Sequence, residues 1–483
     1  MSLQHAPKNR SKLQRYSILV LTSVILYGCV KPEQKKRSTG RAPSNPSDQL
    51  DEIPKPCNTY PSIKTIKVPR DHQNPQAGSI DWSYQHFQRP NSVGTLILIP
   101  GGPGGNDISD QESFDSSSNQ FPTNFDVILI DPRFVGCNYI EAQDADVAFI
   151  TTTQHVGDIV EMIRQANLTN VVIKGNSYGT VVATELVAKL EEEDLAPKAV
   201  IFEGSLDRAF VGIRQEFDLV WNTLTEDDPV QRKFLASPPK GLGIDAEQMK
   251  ALVMGLSNYS GRFLKAQLDL MKKFDAEGYE SEDGRTFRNF VRNFTTAITE
   301  QKEFQGFLQF YVAVACREIF EMDTKDVYPV AADGTMSYAS EPVENICETV
   351  NLTLSNPFDA ADHKIARTPI YYAQGSLDPN TPLKGAKEHE KKMTNASTKF
   401  FMTVENGGHA PLHAPDELEP CAKSIYARAL RSEDPMSLLT SEGVCKGTSG
   451  GLRLTQRSLD DPGLRASIVE AARAMRNGLP RLR

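Results

Sequence analysis

The chain has 483 residues, a formal net charge of −9, 39% hydrophobic residues and 24% charged residues. That length exceeds one compact core, so a core domain with a large insertion, or two domains, is the starting expectation. The composition is ordinary for a globular protein and excludes a fibre or a repeat array, and the acidic balance excludes generic nucleic-acid binding.

Residues 1–29 stand apart. Lys8, Arg10, Lys12 and Arg15 form a positive leader, followed over 16–27 by an apolar run of signal-peptide length, too short for a comfortable membrane span. The run ends in Leu26-Tyr27-Gly28-Cys29, which resembles a bacterial lipobox and makes Cys29 the expected lipidation site. Tyr27 departs from the small residue usual there, which leaves an uncleaved anchor or ordinary secretion as alternatives. The expected location is the bacterial cell envelope, with the membrane a partner through a lipid anchor on Cys29. Residues 30–54, with their Pro, Ser and Lys, read as a disordered tether.

Beyond Cys29 six cysteines remain: Cys57, Cys137, Cys316, Cys347, Cys421 and Cys445. An even number in an exported chain suits disulfides, which persist in an oxidising envelope. Sequence leaves the pairing open. Short loops favour Cys316 with Cys347 and Cys421 with Cys445, which leaves Cys57 with Cys137; buried free thiols are the other reading.

Along the chain, 62–69 and 79–87 read as extended strands and predict an antiparallel opening, since Ile80, Trp82 and Tyr84 alternate with polar neighbours. Residues 95–99 form a continuous apolar run, as a strand buried on both faces should. The run stops at Pro100-Gly101-Gly102-Pro103-Gly104-Gly105, whose glycines permit backbone shapes that leave amides facing a ligand. A further apolar strand over 125–130 ends in Asp131-Pro132-Arg133. Val156, Ile159, Val160 and Ile163 then place one apolar stripe on a helix over 153–166. Next come a strand over 171–173, Gly175-Asn176-Ser177-Tyr178-Gly179, a helix over 178–190 and a strand over 198–202 closing at Glu203-Gly204. Strands alternating with helices predict a mainly parallel sheet, with ligands at the carboxyl ends of its strands.

After Asp207 the rhythm changes. Helical segments over 213–224, 246–256, 262–274, 287–298 and 304–320 predict an inserted helical block. Sheet character returns at 369–373, ending in Gln374-Gly375-Ser376-Leu377-Asp378, and at 399–404, ending in Gly407-Gly408-His409. A helix over 417–430 follows, and the tail carries an amphipathic helix near 466–475.

A serine is a poor nucleophile at neutral pH, so a base must take its proton and an acid must hold that base in the right tautomer. Ser177 sits in a strand-turn-helix that pushes its hydroxyl out above the sheet edge. Asp378 and His409 each lie just beyond a late strand. Of eight histidines only His409 follows a strand through a glycine pair at the edge where Ser177 is expected; His413 is the nearest rival. Thr381 is placed to hydrogen-bond Asp378. The amides of Tyr178 and Gly102 are the expected oxyanion donors.

Together, Pro100 to Gly105, Asp131-Pro132-Arg133, Gly175-Asn176-Ser177-Tyr178-Gly179, Gly375-Ser376-Leu377-Asp378-Pro379 with Thr381-Pro382, and Gly408-His409 resemble the prolyl and tripeptidyl aminopeptidase family of serine α/β-hydrolases. Val68-Pro69-Arg70-Asp71 with Asn74-Pro75 also resembles the opening of its secreted branch. The resemblance implies an α/β-hydrolase fold, with a mainly parallel eight-stranded sheet. It places the core over 55–207 and 362–445, an inserted helical cap over 208–361 and a tail over 446–483. One departure is Phe134, which stands where the family usually has glycine, with Cys137 close by; it puts the shape of that loop in question.

The activity the resemblance implies is release of amino-terminal residues, proline or short peptides, through an acyl-enzyme. No metal or cofactor is expected, since the seven cysteines and eight histidines show no close Cys-x-x-Cys or His-Glu-x-x-His spacing. The implied substrates are peptides with a free amino terminus. An ammonium needs a carboxylate, and Glu203, at a strand's carboxyl end, and Glu318, two residues after Cys316, are the two acids named for it. Arg133 is expected to brace loops. A carboxylesterase or lipase on the same fold, and a catalytically inactive surface-binding lipoprotein, are the alternative readings.

Overall fold

The computed structural model describes residues 60–108, 124–140, 146–208, 307–319, 347, 352–378, 380–412, 427–431, 433 and 443–445. The leader and tether, Cys29, Cys57, Cys421, His413, the helices expected between 213 and 298, most of the 417–430 helix and the tail lie outside the described residues.

The antiparallel opening is there: Ile63–Pro69 (β1) pairs with Ser79–Phe87 (β2), and β2 runs antiparallel to Asp126–Ile130 (β4). Among the described residues the other strand pairs are parallel, linking β4, Thr95–Ile99 (β3), Val171–Asn176 (β5), Ala199–Glu203 (β6), Ile370–Gly375 (β7) and Lys399–Val404 (β8). Among the described residues nine strands lie in the order β1-β2-β4-β3-β5-β6-β7-β8-β9, one more than expected. The extra strand, Val444–Cys445 (β9), extends β8 in parallel through Thr403 and Val404. Two residues carry no period that a sequence reading can detect.

The all-apolar runs are central strands because both faces of the sheet are covered. Every residue of β3, β5, β6 and β7 is buried. Alternate side chains go to opposite faces. Ile97 and Ile99 join the stripes of Thr152–Gln165 (α1) and Tyr178–Glu192 (α2), while Leu96 and Leu98 join Val127, Ile201, Met402 and Leu430 on the other face. Thr151 caps α1, its side chain accepting from the Gln154 amide at 3.2 Å, so the helix starts where the apolar period starts.

Between β6 and β7 the described part of the insertion is a helix, Phe307–Val314 (α3), continuing into a π-turn, Ala315–Ile319. Phe310 and Val314 pack into the same core as α1 and α2. Cys316 and Cys347 form a disulfide with Cα atoms 5.5 Å apart, the pairing expected from their short loop. Cys137 and Cys445 are each disulfide-bonded. The helix Leu383–Lys392 (α4), between β7 and β8, went unread in the sequence because its charged face leaves only Ala386 and His389 buried.

Candidate active site

The turn from β5 to α2 puts Ser177 at φ 54°, ψ −125°, a left-handed backbone that costs a non-glycine residue on the order of 1–3 kcal/mol. The geometry holds because its neighbours leave no room for another. A side-chain carbon at Gly175 would lie 2.3 Å from the Gly179 carbonyl oxygen, and one at Gly179 would lie 2.3 Å from that of Ile99. The two flanking glycines therefore let α2 start hard against both β5 and the end of β3. A serine at a helix start ordinarily uses its hydroxyl as a cap. Ser177 makes no such bond; the Thr180 amide and hydroxyl go to its carbonyl instead, at 2.7 and 2.6 Å.

Asp378 and His409 come together at the neighbouring strand ends. His409 Nδ1 lies 2.9 and 2.8 Å from the two carboxylate oxygens of Asp378. Asp378 also accepts from the amides of Asn380 and Thr381, both at 2.9 Å, from Thr381 Oγ1 at 2.7 Å and from Gln374 Nε2 at 2.8 Å. Thr381 is thus the partner expected. Gln374 was quoted in the sequence without a role; its amide joins Asp378 to the Thr381 carbonyl at 2.6 Å, and its oxygen accepts from the Ser205 amide at 3.1 Å.

The end of β6 lies between the strand that carries the serine and those that carry the acid and the base. The Ser177 amide donates to the Glu203 carbonyl at 2.8 Å, and the next residue, Gly204, packs on His409. With φ 64°, Gly204 leaves a space in which a side-chain carbon would sit 3.0 Å from His409 Cε1. Burial raises the Asp378 carboxyl to about 7 and lowers His409 to about 3. The imidazole therefore rests neutral, the form that accepts a proton.

The Pro100–Gly105 loop closes over the same turn. A carbon on Gly179 would also lie 2.8 Å from the Pro100 carbonyl oxygen, so the loop begins directly beside the residues after Ser177. Gly102 takes φ 119°, closed to other residues. Tyr178 is the first residue of α2, where helix amides have no intrahelical acceptor.

A buried charge network lies beneath. Lys174 Nζ is 2.7 Å from Glu203 Oε2, and Glu203 Oε1 accepts from the Leu412 amide at 2.6 Å. Asp131 accepts from the amides of Asp107, Ile108 and Cys137 at 2.9, 3.1 and 2.8 Å. Burial raises Asp131 to about 6, and burial together with the Asp131 charge raises Asp107 to about 7. Glu318 is also enclosed, both of its oxygens accepting from the Thr152 amide at 3.2 Å. Glu203 and Glu318, the two acids expected to meet a substrate amine, are each held by donors of the protein in this structure. Arg133 braces, as expected: its guanidinium is fully buried against Asp158 and the carbonyl of Arg70. Among the described residues no group of three or more His, Cys, Asp or Glu side chains is arranged to hold a metal ion.

Residues 94–414 match the family model described as alpha/beta hydrolase fold. No curated protein matches the chain by sequence. Solved structures of similar shape include the alpha/beta hydrolase enzyme MGS-M2 from a Medee basin deep-sea metagenome library, at 16% identity and a TM-score of 0.38, covering 73% of this chain and 95% of that one. Rv0554 from Mycobacterium tuberculosis is 14% identical with a TM-score of 0.40, covering 77% and 100%. The esterase EaEST from Exiguobacterium antarcticum is 15% identical with a TM-score of 0.35, covering 72% and 96%. The matched residues span β3 to the segment just after His409, the stretch that carries the whole constellation described above, and the chain belongs to the alpha/beta hydrolase fold family.

Proposed function

We propose that the chain is a serine hydrolase that works through an acyl-enzyme on peptides with a free amino terminus. One observation supports the catalytic part: a strained Ser177 with no cap bond follows β5, and the Asp378–His409 pair follows β7 and β8 at the same edge of the sheet, with Gly204, at the end of the intervening β6, packed on His409. In this reading Ser177 attacks the carbonyl, neutral His409 takes its proton and returns it to the leaving group, and Asp378 orients the imidazole. The amides of Tyr178 and Gly102 receive the oxyanion. Preference for amino-terminal residues rests on the Gly-Gly-Pro-Gly-Gly loop and the resemblance it carries. Export with an anchor at Cys29 agrees with disulfides at Cys316, Cys347, Cys137 and Cys445, which persist outside the cytosol.

The test is a substrate panel on the full chain, beside labelling with a fluorophosphonate probe. Aminoacyl and tripeptidyl amides should be cleaved, their amino-acetylated counterparts should not, and Ser177→Ala should abolish both labelling and turnover. Ester turnover with no amide turnover would replace the peptidase reading with an esterase. A wild type that takes no label would leave a fold without a catalyst.

A further inference from the structure

Glu318 stands in the insertion, yet its carboxylate reaches out of it. The backbone of its π-turn is pinned by the returning limb of the insertion: the Phe358 amide donates to the Glu318 carbonyl at 2.9 Å, and the Ser355 and Asn356 amides donate to that of Arg317 at 3.0 Å. Two residues earlier, the Cys316–Cys347 disulfide ties the same turn to the rest of the insertion. Arg317 Nη1 donates to the Val147 carbonyl at 2.8 Å on the core side. So held, Glu318 accepts from both the amide and the hydroxyl of Thr152, the first residue of α1. Thr152 Oγ1 lies 2.8 Å from Tyr178 OH. Tyr178 is the residue after Ser177 and the first of α2.

The proton count fixes the direction of this chain. A threonine hydroxyl has one proton, and a carboxylate only accepts. With Glu318 ionised, Thr152 gives its proton to Glu318, so Tyr178 must donate to Thr152. The Tyr178 side chain is buried, 3% exposed, and this donation directs its hydroxyl toward Thr152.

We propose that Glu318, through Thr152, is a positioning residue for Tyr178, so that docking of the insertion sets the amide that receives the oxyanion. The inference rests on the reading of Ser177 as nucleophile. It gives Glu318 a role in turnover of every substrate, with or without a free amine. The groups facing Glu318 are Thr152 of α1, Tyr178 and Glu185 of α2, and its own neighbour Arg317. Burial first, then repulsion from Glu185, lifts the Glu318 carboxyl to about 7 against the Thr152 bonds and Arg317. Protonated, it becomes a donor to Thr152 Oγ1, which frees the threonine proton and reverses the chain.

The experiment compares Glu318→Ala, Glu318→Gln, Thr152→Val and Tyr178→Phe in the full chain. Two readouts are used: kcat and KM on amide and ester substrates, and hydrogen exchange of the amides over 177–180. Glu318→Ala, Thr152→Val and Tyr178→Phe should each lower kcat by about tenfold or more on both substrate types, leave KM within about threefold, and speed exchange. Glu318→Gln keeps an acceptor for Thr152 and should retain most activity while flattening the pH dependence of kcat near pH 7. A rise in KM confined to substrates with a free amine would overturn the proposal and restore an amine-binding Glu318. Unchanged kcat and unchanged exchange would also overturn it. If the wild type takes no serine probe, the reading of Ser177 falls, while the exchange comparison still decides whether Glu318 orders Tyr178.

Discussion

Asp378 shows how single atoms set the chemistry. Five donors surround its two oxygens, counting His409, while burial pushes the carboxyl up to about 7. Each donor offsets part of that cost, and Thr381 supplies two of them. A hydrogen bond worth about 1 kcal/mol corresponds to roughly 0.7 in pKa. Thr381→Ala should therefore move the acid limb of fluorophosphonate labelling up by about 0.7 in pH, because Asp378 then takes its proton sooner as pH falls. An unchanged limb would mean that Asp378 does not govern it. Phe134 shows the same economy of local forces. The sequence flagged it for standing where the resembled family has glycine, and the structure places it at φ 64° with 1% exposure. The loop keeps a glycine's shape because burying a phenyl ring is worth about 1.5–3 kcal/mol, against about 1–2 kcal/mol for the left-handed backbone.

Between elements, the decisive contacts are buried ion pairs. Arg133, after β4, meets Asp158 of α1 through Nε at 2.9 Å and Nη2 at 2.5 Å, and donates to the Arg70 carbonyl at 2.9 Å beyond β1. His72 adds Nε2 at 2.8 Å from Asp158 Oδ1. Burial alone would raise Asp158, but Arg133 and His72 outweigh it and hold the carboxyl below its usual range. Removing one partner leaves a desolvated charge, which costs about 3–5 kcal/mol. Arg133→Leu should thus lower unfolding free energy by about that much in urea, and Arg133→Leu with Asp158→Leu by less than the sum of the two single variants. A single-variant loss under about 1 kcal/mol would show the clasp to be dispensable. The sequence marked Arg133 as a brace of loops, but nothing near Arg133 pointed to Asp158.

Over the whole molecule, burial sorts the histidines by how they respond to pH. His389 lies between Thr184 of α2 and Tyr372 of β7, with ring nitrogens 3.0 and 2.9 Å from their hydroxyls, and burial lowers it to about 3. His155, packed edge-on to Phe310, is lowered to about 4. Unfolded, either would titrate near 6.5. As pH falls below about 6.5 the unfolded chain takes up these protons first, so the stability of the neutral buried form declines from there toward about 4 for His155 and about 3 for His389. At pH 5 one such group accounts for about 2 kcal/mol. His389→Gln keeps a donor and an acceptor without the charge, and its melting temperature should fall less between pH 7 and pH 5 than that of the wild type. Equal slopes would mean that His389 titrates alike in both states.

What the amino-acid sequence determined by itself is the strands β1 to β8, the glycine-flanked turn at Ser177 and the order of the acid and base after it. These are legible because a fully buried strand is apolar throughout and a strained turn admits only glycine beside it. Only the tertiary structure decided what Lys174, Glu203, Gln374 and Glu318 touch. Glu318 and Thr152 are 166 positions apart, and the worth of their contact comes from the water both have lost. Desolvation is a property of the packed interior and leaves no trace in local spacing, which is why the internal partners of Glu203 and Glu318 were not legible from the residues around them.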